Sequence, residues 1–138
     1  MERNKFFVRV NAIVVRNNKI LLGKRKGGFG DGKWGLPGGH LEFKENMQEA
    51  VSRELFEETG MKCDSFIFSN VFNNLQGEKH YLQFGFIAQN PQGEPILKEA
   101  DRCSEWKWFD LDNLPEDIIA PHKPNIESLY KKDVFTDS

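Results

Sequence analysis

A single mixed α/β domain is predicted by three features of the sequence. Short segments rich in β-branched and aromatic residues flank one strongly patterned helix, glycine-rich breaks separate them, and no linker or internal repeat is visible. Strands, one central helix, further strands and terminal helices in that order suggest an α+β or mixed α/β sandwich. The 138 residues suit one domain, residues 1–138, and suffice for a single core without staples. With 38% hydrophobic residues and 12 glycines besides, the composition is that of a globular chain, not a disordered or fibrous one.

Phe6 to Val15 is rich in β-branched residues and reads as a strand. Asn17-Asn18, a pair tolerant of left-handed backbone, turns it into Lys19 to Lys24, making a hairpin. Gly23 to Lys33 has no periodicity and is expected to be a mobile loop. Trp34-Gly35-Leu36 is a short extended piece stopped by Pro37-Gly38-Gly39. The strongest helix runs from Asn46 to Thr59: Asn46 is placed as N-cap with Glu49 three residues on, and Gly60 supplies the stop. Phe66 to Asn73 and His80 to Ala88 read as strands joined through a Gln76-Gly77 turn. After a loop at Asn90 to Pro95, Glu105 to Phe109 alternates Trp106 and Trp108 with polar residues, as a half-buried strand does. A helix is expected to start within Asp112 to Ala120, and another to span Asn125 to Lys132.

Composition narrows the function classes. Cys63 and Cys103 are too few for a disulfide framework or a four-ligand zinc site and suit a reducing cytoplasm, the expected location. A net charge of −2 predicts no bulk attraction to nucleic acid or to an anionic membrane. The apolar run after Met1 to Lys5 is broken by Arg9, Asn11 and Arg16, so neither a signal peptide nor a membrane span is expected. Gly27 to Lys33 imitates a P-loop, but Trp34 replaces the required Ser or Thr and no helix follows. No G-x-S-x-G element for an acyl hydrolase exists either.

The central helix breaks a packing rule. At about 100° per residue, Glu54, Glu57 and Glu58 fall in nearly the same arc as Met47, Ala50 and Val51 of the preceding turns. A face that begins apolar thus ends in three carboxylates, and carboxylates are rarely set against a core without a partner. A merely solvated acidic helix end fits poorly, because acidic side chains near a C-terminus oppose the macrodipole. A hard divalent cation, Mg²⁺ or Mn²⁺, resolves the conflict through carboxylate oxygens. Gly38-Gly39 brings bare backbone close to the helix, able to offer a carbonyl to a metal or an amide to a phosphate, and Arg53 stands beside Glu54.

These residues run Gly39-His-Leu-Glu-Phe-Lys-Glu45, then after seven residues Arg53-Glu54-Leu55-Phe56-Glu57-Glu58-Thr59-Gly60-Met61. The run resembles the Nudix box, G-x₅-E-x₇-R-E-U-x-E-E-x-G-U, at every defined position. The glycine-rich loop, Leu36-Pro37 and the later Trp106-x-Trp108-Phe109 are similar to the family as well. The resemblance implies an α/β/α sandwich with a mixed sheet between helices, and Mg²⁺-dependent hydrolysis of a nucleoside diphosphate linked to another group. It implies Glu54, Glu57, Glu58 and the Gly39 carbonyl as metal ligands, with Arg53 and Glu45 as braces. A further glutamate usually arrives from outside the box, and Glu99 is the candidate ahead of Glu78 and Glu94. Leu36 to Phe43 with Arg102-Cys103 is similar to the oxidised-nucleotide-sanitising triphosphate pyrophosphatases of the family, although Lys44 departs from their usual glycine.

The expected reaction is attack of a metal-activated water on a (d)NTP or modified (d)NTP, giving the monophosphate and pyrophosphate. Glu54 and Glu99 contend for the base, with Glu57 close behind. Lys24, Arg25, Lys26 and Lys33 are candidates to hold phosphates, and Asn11, Phe29, Trp34 and His40 to hold the base. Alternatives are hydrolysis of ADP-ribose, a nucleotide sugar or a dinucleotide, RNA decapping, and a non-catalytic nucleotide sensor. The expected partner is a small nucleotide. Dimers are common in the family, so a homodimer is compatible with the resemblance, but no patch demands one.

Overall fold

The computed structural model describes residues 3–75 and 77–138. A five-stranded mixed sheet lies at its centre, in the order β5 (Gly38–His40), β1 (Phe6–Ile13), β7 (His80–Gln89), β6 (Ser65–Asn74), β9 (Phe135–Asp137). β1 pairs with β7 in parallel and β6 with β9 likewise, while β5–β1 and β6–β7 are antiparallel. Alternation along β1 decides what each face meets. Val10 and Ala12 join Ala50, Val51 and Leu55 of helix α1 (Met47–Thr59) in one core. Ile13 belongs to a second core with Ile126 of α2 (Lys123–Lys131), and Asn11 bonds Asn125 of the same helix. The two helices therefore cover opposite faces, giving the expected α/β/α sandwich.

A smaller sheet holds β2 (Val15–Arg16), β3 (Lys19–Arg25), β4 (Trp34–Gly35) and β8 (Cys103–Asp110). The strand expected over Phe6 to Val15 divides at Val14: Ile13 still pairs with Ile87 of β7, whereas Val15 pairs with Ile20 of β3. Asn17 and Asn18 sit at φ 52° and 61°, the left-handed pair a two-residue hairpin requires. The loop after β3 is cross-braced, Gly32 N–H donating to Arg25 C=O at 2.8 Å and Lys33 N–H to Gly30 C=O at 2.9 Å. Helix α1 begins and ends where its caps dictate. Asn46 Oδ1 accepts from the amides of Gln48 (2.8 Å) and Glu49 (3.3 Å), and Gly60, at φ 75°, closes the last turn onto Phe56 C=O.

Two further expectations are corrected. Asp112 to Ala120 forms no α-helix: a turn at Leu111–Asp112 gives way to extended chain, and only a 3₁₀ turn at Ala120–His122 precedes α2. Pro115 disfavours helical backbone at Leu114, and Trp34 captures the segment's polar groups. Trp34 N–H donates to Asp117 C=O at 2.7 Å, and Ile119 N–H donates to Trp34 C=O at 2.9 Å. Gly38-Gly39, read as a turn, is strand β5, with Arg9 opposite His40 and Val10 opposite Gly39. β9 carries no pattern of its own and exists through parallel pairing of Phe135 to Asp137 with Val71 to Asn73. Of the expected Gln76-Gly77 turn, Gln76 lies outside the described residues. Among the described residues no helix is long and apolar enough to cross a membrane.

His122 is fully buried, and its Nδ1 accepts the Leu36 N–H at 2.9 Å. Burial, with Arg9 and Arg25 adding repulsion, holds the imidazole neutral and its pKa well below the ordinary value. The unfolded chain binds this proton first, at about pH 6.5. Stability from His122 is thus present above that pH and lost below it, with a slope of at most about 1.4 kcal/mol per pH unit. Urea midpoints at pH 7.5 and 5.5 should differ more for the wild type than for His122→Asn, whose Oδ1 can accept the same N–H. Identical differences would contradict the assignment.

Candidate functional site

The last two turns of α1 carry Glu54, Glu57 and Glu58 past the backbone of β5. Gly39 makes this approach possible, because a side chain there would occupy the space of the Glu54 carboxylate. Glu58 Oε1 accepts the Gly38 N–H at 2.7 Å. Enclosure raises the Glu58 carboxyl to about 8, with the charges of Glu54 and Glu99 adding to the rise and the Gly38 N–H and Arg9 opposing it. Glu54 is also raised by burial, against the pull of Arg53.

Arg53 holds this end of the helix to the loop before it. Its Nε and Nη2 grip Glu45 at 2.7 and 2.9 Å, a bidentate pair, while Nη1 reaches Glu54 at 2.9 Å and Glu57 at 3.4 Å. Glu45 in turn accepts the Glu42 N–H at 3.1 Å, and the Arg53 pair holds its carboxyl below the usual range. Glu57 is left half exposed and turned to Arg53, whereas Glu54 and Glu58 face a cleft of about 380 Å³. Among the described residues no three acidic, His or Cys side chains converge as a ready metal cage.

Two guanidinium groups reach into the same cleft. The Nε of Arg9 is fully enclosed and has no hydrogen-bond partner. Burial lowers the pKa of Arg9, and burial together with Arg9 brings Arg25 down to about 10. Neither forms an ion pair among the described residues. A charge left this way is costly unless an anion completes the site. Arg9, Arg25 and Phe29 also line a second cavity of about 520 Å³, walled by Tyr81, Gln83, Ile119, Pro121 and His122. The two spaces therefore adjoin, the first lined by both carboxylates and basic groups and the second by a mixture of apolar, amide and charged groups.

Of the residues singled out by sequence, the first cleft gathers Arg25, Lys26, Phe29, Gly39, His40, Glu54, Glu58 and Glu99. His40 Nε2 lies 3.1 Å from the Tyr81 hydroxyl. Asn11 lines neither space: it is wholly buried, donating through Nδ2 to Gln83 and Asn125. Lys24 lies over the Trp34 ring at 5.9 Å, Trp34 packs edge-on against Phe109 at 4.7 Å, and Lys33 is exposed on the loop. All three stand outside both cavities, and so does Glu57. Sequence reasoning missed Arg9, Tyr81, Gln83 and His122, while Trp106, read as strand packing with it or Trp108 at the pocket edge, lines the first cleft. Arg9 had a local signal, a polar residue two positions before Asn11 in an apolar strand, and the β1–β7 register sets Gln83 beside it.

Comparison with known proteins agrees with this architecture. The family model for the NUDIX domain matches residues 5–130. A Danio rerio protein named oxidized purine nucleoside triphosphate hydrolase is 37% identical over 105 residues, 75% of this chain and 65% of its own length. An ADP-ribose pyrophosphatase of Methanocaldococcus jannaschii is 41% identical over 113 residues, 79% of this chain and 64% of its own. The chain thus spans slightly less than two thirds of these relatives. The crystal structure of a MutT NUDIX hydrolase from Burkholderia pseudomallei superimposes with a TM-score of 0.86 at 32% identity, covering 91% of this chain and 99% of that one. A sheet held between two helices, a glutamate-bearing helix end seated on bare glycine backbone and a domain match over nearly the whole sequence lead to one conclusion: the chain belongs to the Nudix family.

Proposed function

We propose that this protein is a divalent-cation-dependent nucleoside triphosphate pyrophosphatase, converting a (d)NTP or a modified (d)NTP to the monophosphate and pyrophosphate. The observation that carries this reading is the placement of two enclosed carboxylates, Glu54 and Glu58, and two guanidiniums without an ion pair among the described residues, Arg9 and Arg25, around one cleft. The donor set fits Mg²⁺ or Mn²⁺: hard oxygen ligands, half-buried, with the Gly38 N–H as the hydrogen bond to Glu58 among the described residues. Glu54, Glu58 and the Gly39 carbonyl would hold the ion, with Glu57 and Glu99 completing the shell. When bound, the ion supplies charge neutralisation at the phosphoryl oxygens and an acidified water.

The chain's own groups do the rest. Arg9 and Arg25 hold the phosphates, and the second cavity beside them receives the nucleoside. Arg53 fixes the direction of Glu54. Because Glu54 Oε1 is engaged by Arg53, whereas Glu99 lines the cleft without an ion pair among the described residues, Glu99 is the freer acceptor for the proton of the attacking water. Positive charge from Arg9, Arg25, Lys26 and Arg102 around one cleft suits a run of phosphates better than a second sugar. The name of the Methanocaldococcus relative keeps ADP-ribose as the second reading. The unpaired, half-buried Cys63 and Cys103 suit a reducing compartment such as the cytoplasm.

Glu58→Gln keeps the acceptor for Gly38 while removing the charge. It should lower kcat by at least about 100-fold and weaken Mn²⁺ binding in calorimetry about 10- to 100-fold, with the helical circular dichroism unchanged. Unaltered Mg²⁺-dependent turnover would remove Glu58 from the site. In a panel of triphosphates, ADP-ribose and UDP-sugars with product identification, a triphosphate should show kcat/KM at least about tenfold above the others. The reverse order would transfer the function to the second reading.

A further inference from the structure

The second cavity is read by side chains whose hydrogen-bonding sense is fixed by the backbone. Asn125 Nδ2 donates to the main-chain carbonyl of Gln83 at 3.1 Å, and a carbonyl can only accept. This sets the Asn125 amide with its Oδ1 towards Asn11, which must therefore present Nδ2, at 3.0 Å. The same Nδ2 lies 2.9 Å from Gln83, so Gln83 must answer with Oε1. A second carbonyl anchors the row from its far end: Asn70 Nδ2 donates to Asp133 C=O at 2.7 Å, leaving Asn70 Oδ1 to accept from Asn125 at 2.9 Å. With Oε1 committed, Gln83 has its Nε2 amide left as a donor. That nitrogen meets no acceptor among the described residues, and Gln83 lines the cavity.

His122 arrives at the same wall with the same sense. Its Nδ1 accepts the Leu36 N–H at 2.9 Å, so the ring proton of the neutral imidazole sits on Nε2. Ile119 and Pro121 supply apolar surface beside these donors, and the exposed Phe29 stands at the shared mouth. Glu78, on the exposed outer lip, is the one carboxylate lining the cavity. A planar ring entering here meets donors from Gln83 and His122 and needs acceptors to satisfy them.

We propose that Gln83 is a specificity-determining residue that selects nucleobases presenting a carbonyl oxygen, the 6-oxopurines and 4-oxopyrimidines, over bases with an exocyclic amine at that position. The proposal rests on the pyrophosphatase reading for its substrate but on separate residues for its selectivity. Inosine and adenosine triphosphates differ at purine position 6 and the adjoining N1 proton, and uridine and cytidine triphosphates at the matching edge of the pyrimidine. The wild type should show kcat/KM at least about tenfold higher for the oxo member of each pair. Gln83→Met removes the donor and should bring both ratios within about threefold of unity. Gln83→Glu replaces the donor with an acceptor and should carry them towards the amino member.

Melting curves establish that each variant is folded, and Gln83→Met decides the matter if the buried charge of Gln83→Glu prevents folding. Unchanged ratios in folded Gln83→Met, or a wild type that favours the amino bases, would overturn the proposal. Calorimetric binding of inosine and adenosine monophosphates separates it from the reaction assigned above. If no triphosphate is turned over but the inosine nucleotide binds more tightly and loses that advantage in Gln83→Met, the selectivity stands and the reaction falls. Turnover without discrimination leaves the reaction standing and overturns the selectivity. Absence of both turnover and monophosphate binding overturns both.

Discussion

Two carboxylates enclosed against bare backbone are the constraint on which the rest of this structure depends. Glu54 occupies the space a side chain at position 39 would need, and Glu58 leans on the Gly38 amide. Gly39 therefore fixes where the end of α1 can lie, whereas a side chain at position 38 would meet Val10 C=O and Asn11 of β1. Enclosure then makes ionised Glu54 and Glu58 unfavourable on their own, and the surroundings supply positive charge from two directions. Arg53 approaches from behind, already committed to Glu45, and so acts as a brace. Arg9 and Arg25 approach from the cleft and form no ion pair among the described residues. The difference separates scaffold from binding surface: a paired guanidinium positions, and an unpaired one awaits an anion.

The two faces of the central sheet divide the labour in the same manner. The α1 face of β1 is apolar, with Val10 and Ala12 against Ala50, Val51 and Leu55. The α2 face carries a row of amides, Asn11, Gln83, Asn125 and Asn70, where aliphatic side chains would pack more cheaply. Such a row is tolerable because nearly every group in it is bonded, and it holds a direction because backbone carbonyls end it. The exceptions are Gln83 Nε2, which faces the cavity, and Asn11 Oδ1, enclosed near Gly38 without a donor among the described residues. That cost buys orientation: turning Asn11 over would set oxygen against oxygen at both Asn125 and Gln83.

What the sequence made legible was local. Asn46 and Gly60 announced the ends of α1, Asn17-Asn18 announced a hairpin, and the glutamate arc announced a site, because each depends on residues within a turn or two. The misreadings came from partners distant in sequence. Asp112 to Ala120 lost its helix to the backbone of Trp34, and Phe6 to Val15 divided because β7 and β3 compete for it. Arg9, Gln83 and His122 meet only through the β1–β7 register and the bond from Leu36, which no local pattern encodes. Lys24, Lys33 and Trp34 looked suitable by type and proximity to the loop, yet Lys24 on β3, Trp34 on β4 and Lys33 on the exposed loop between them all lie outside both cavities.

The most direct test is a crystal structure with Mn²⁺ and a non-hydrolysable triphosphate analogue, read through the anomalous signal of the metal. The account predicts a manganese peak at about 2.1 Å from carboxylate oxygens of Glu54 and Glu58 and from the Gly39 carbonyl, with phosphate oxygens on Arg9 and Arg25. A peak held by Glu57 of α1 and Glu45 of the loop before it, with Glu54 and Glu58 left unligated, would contradict it.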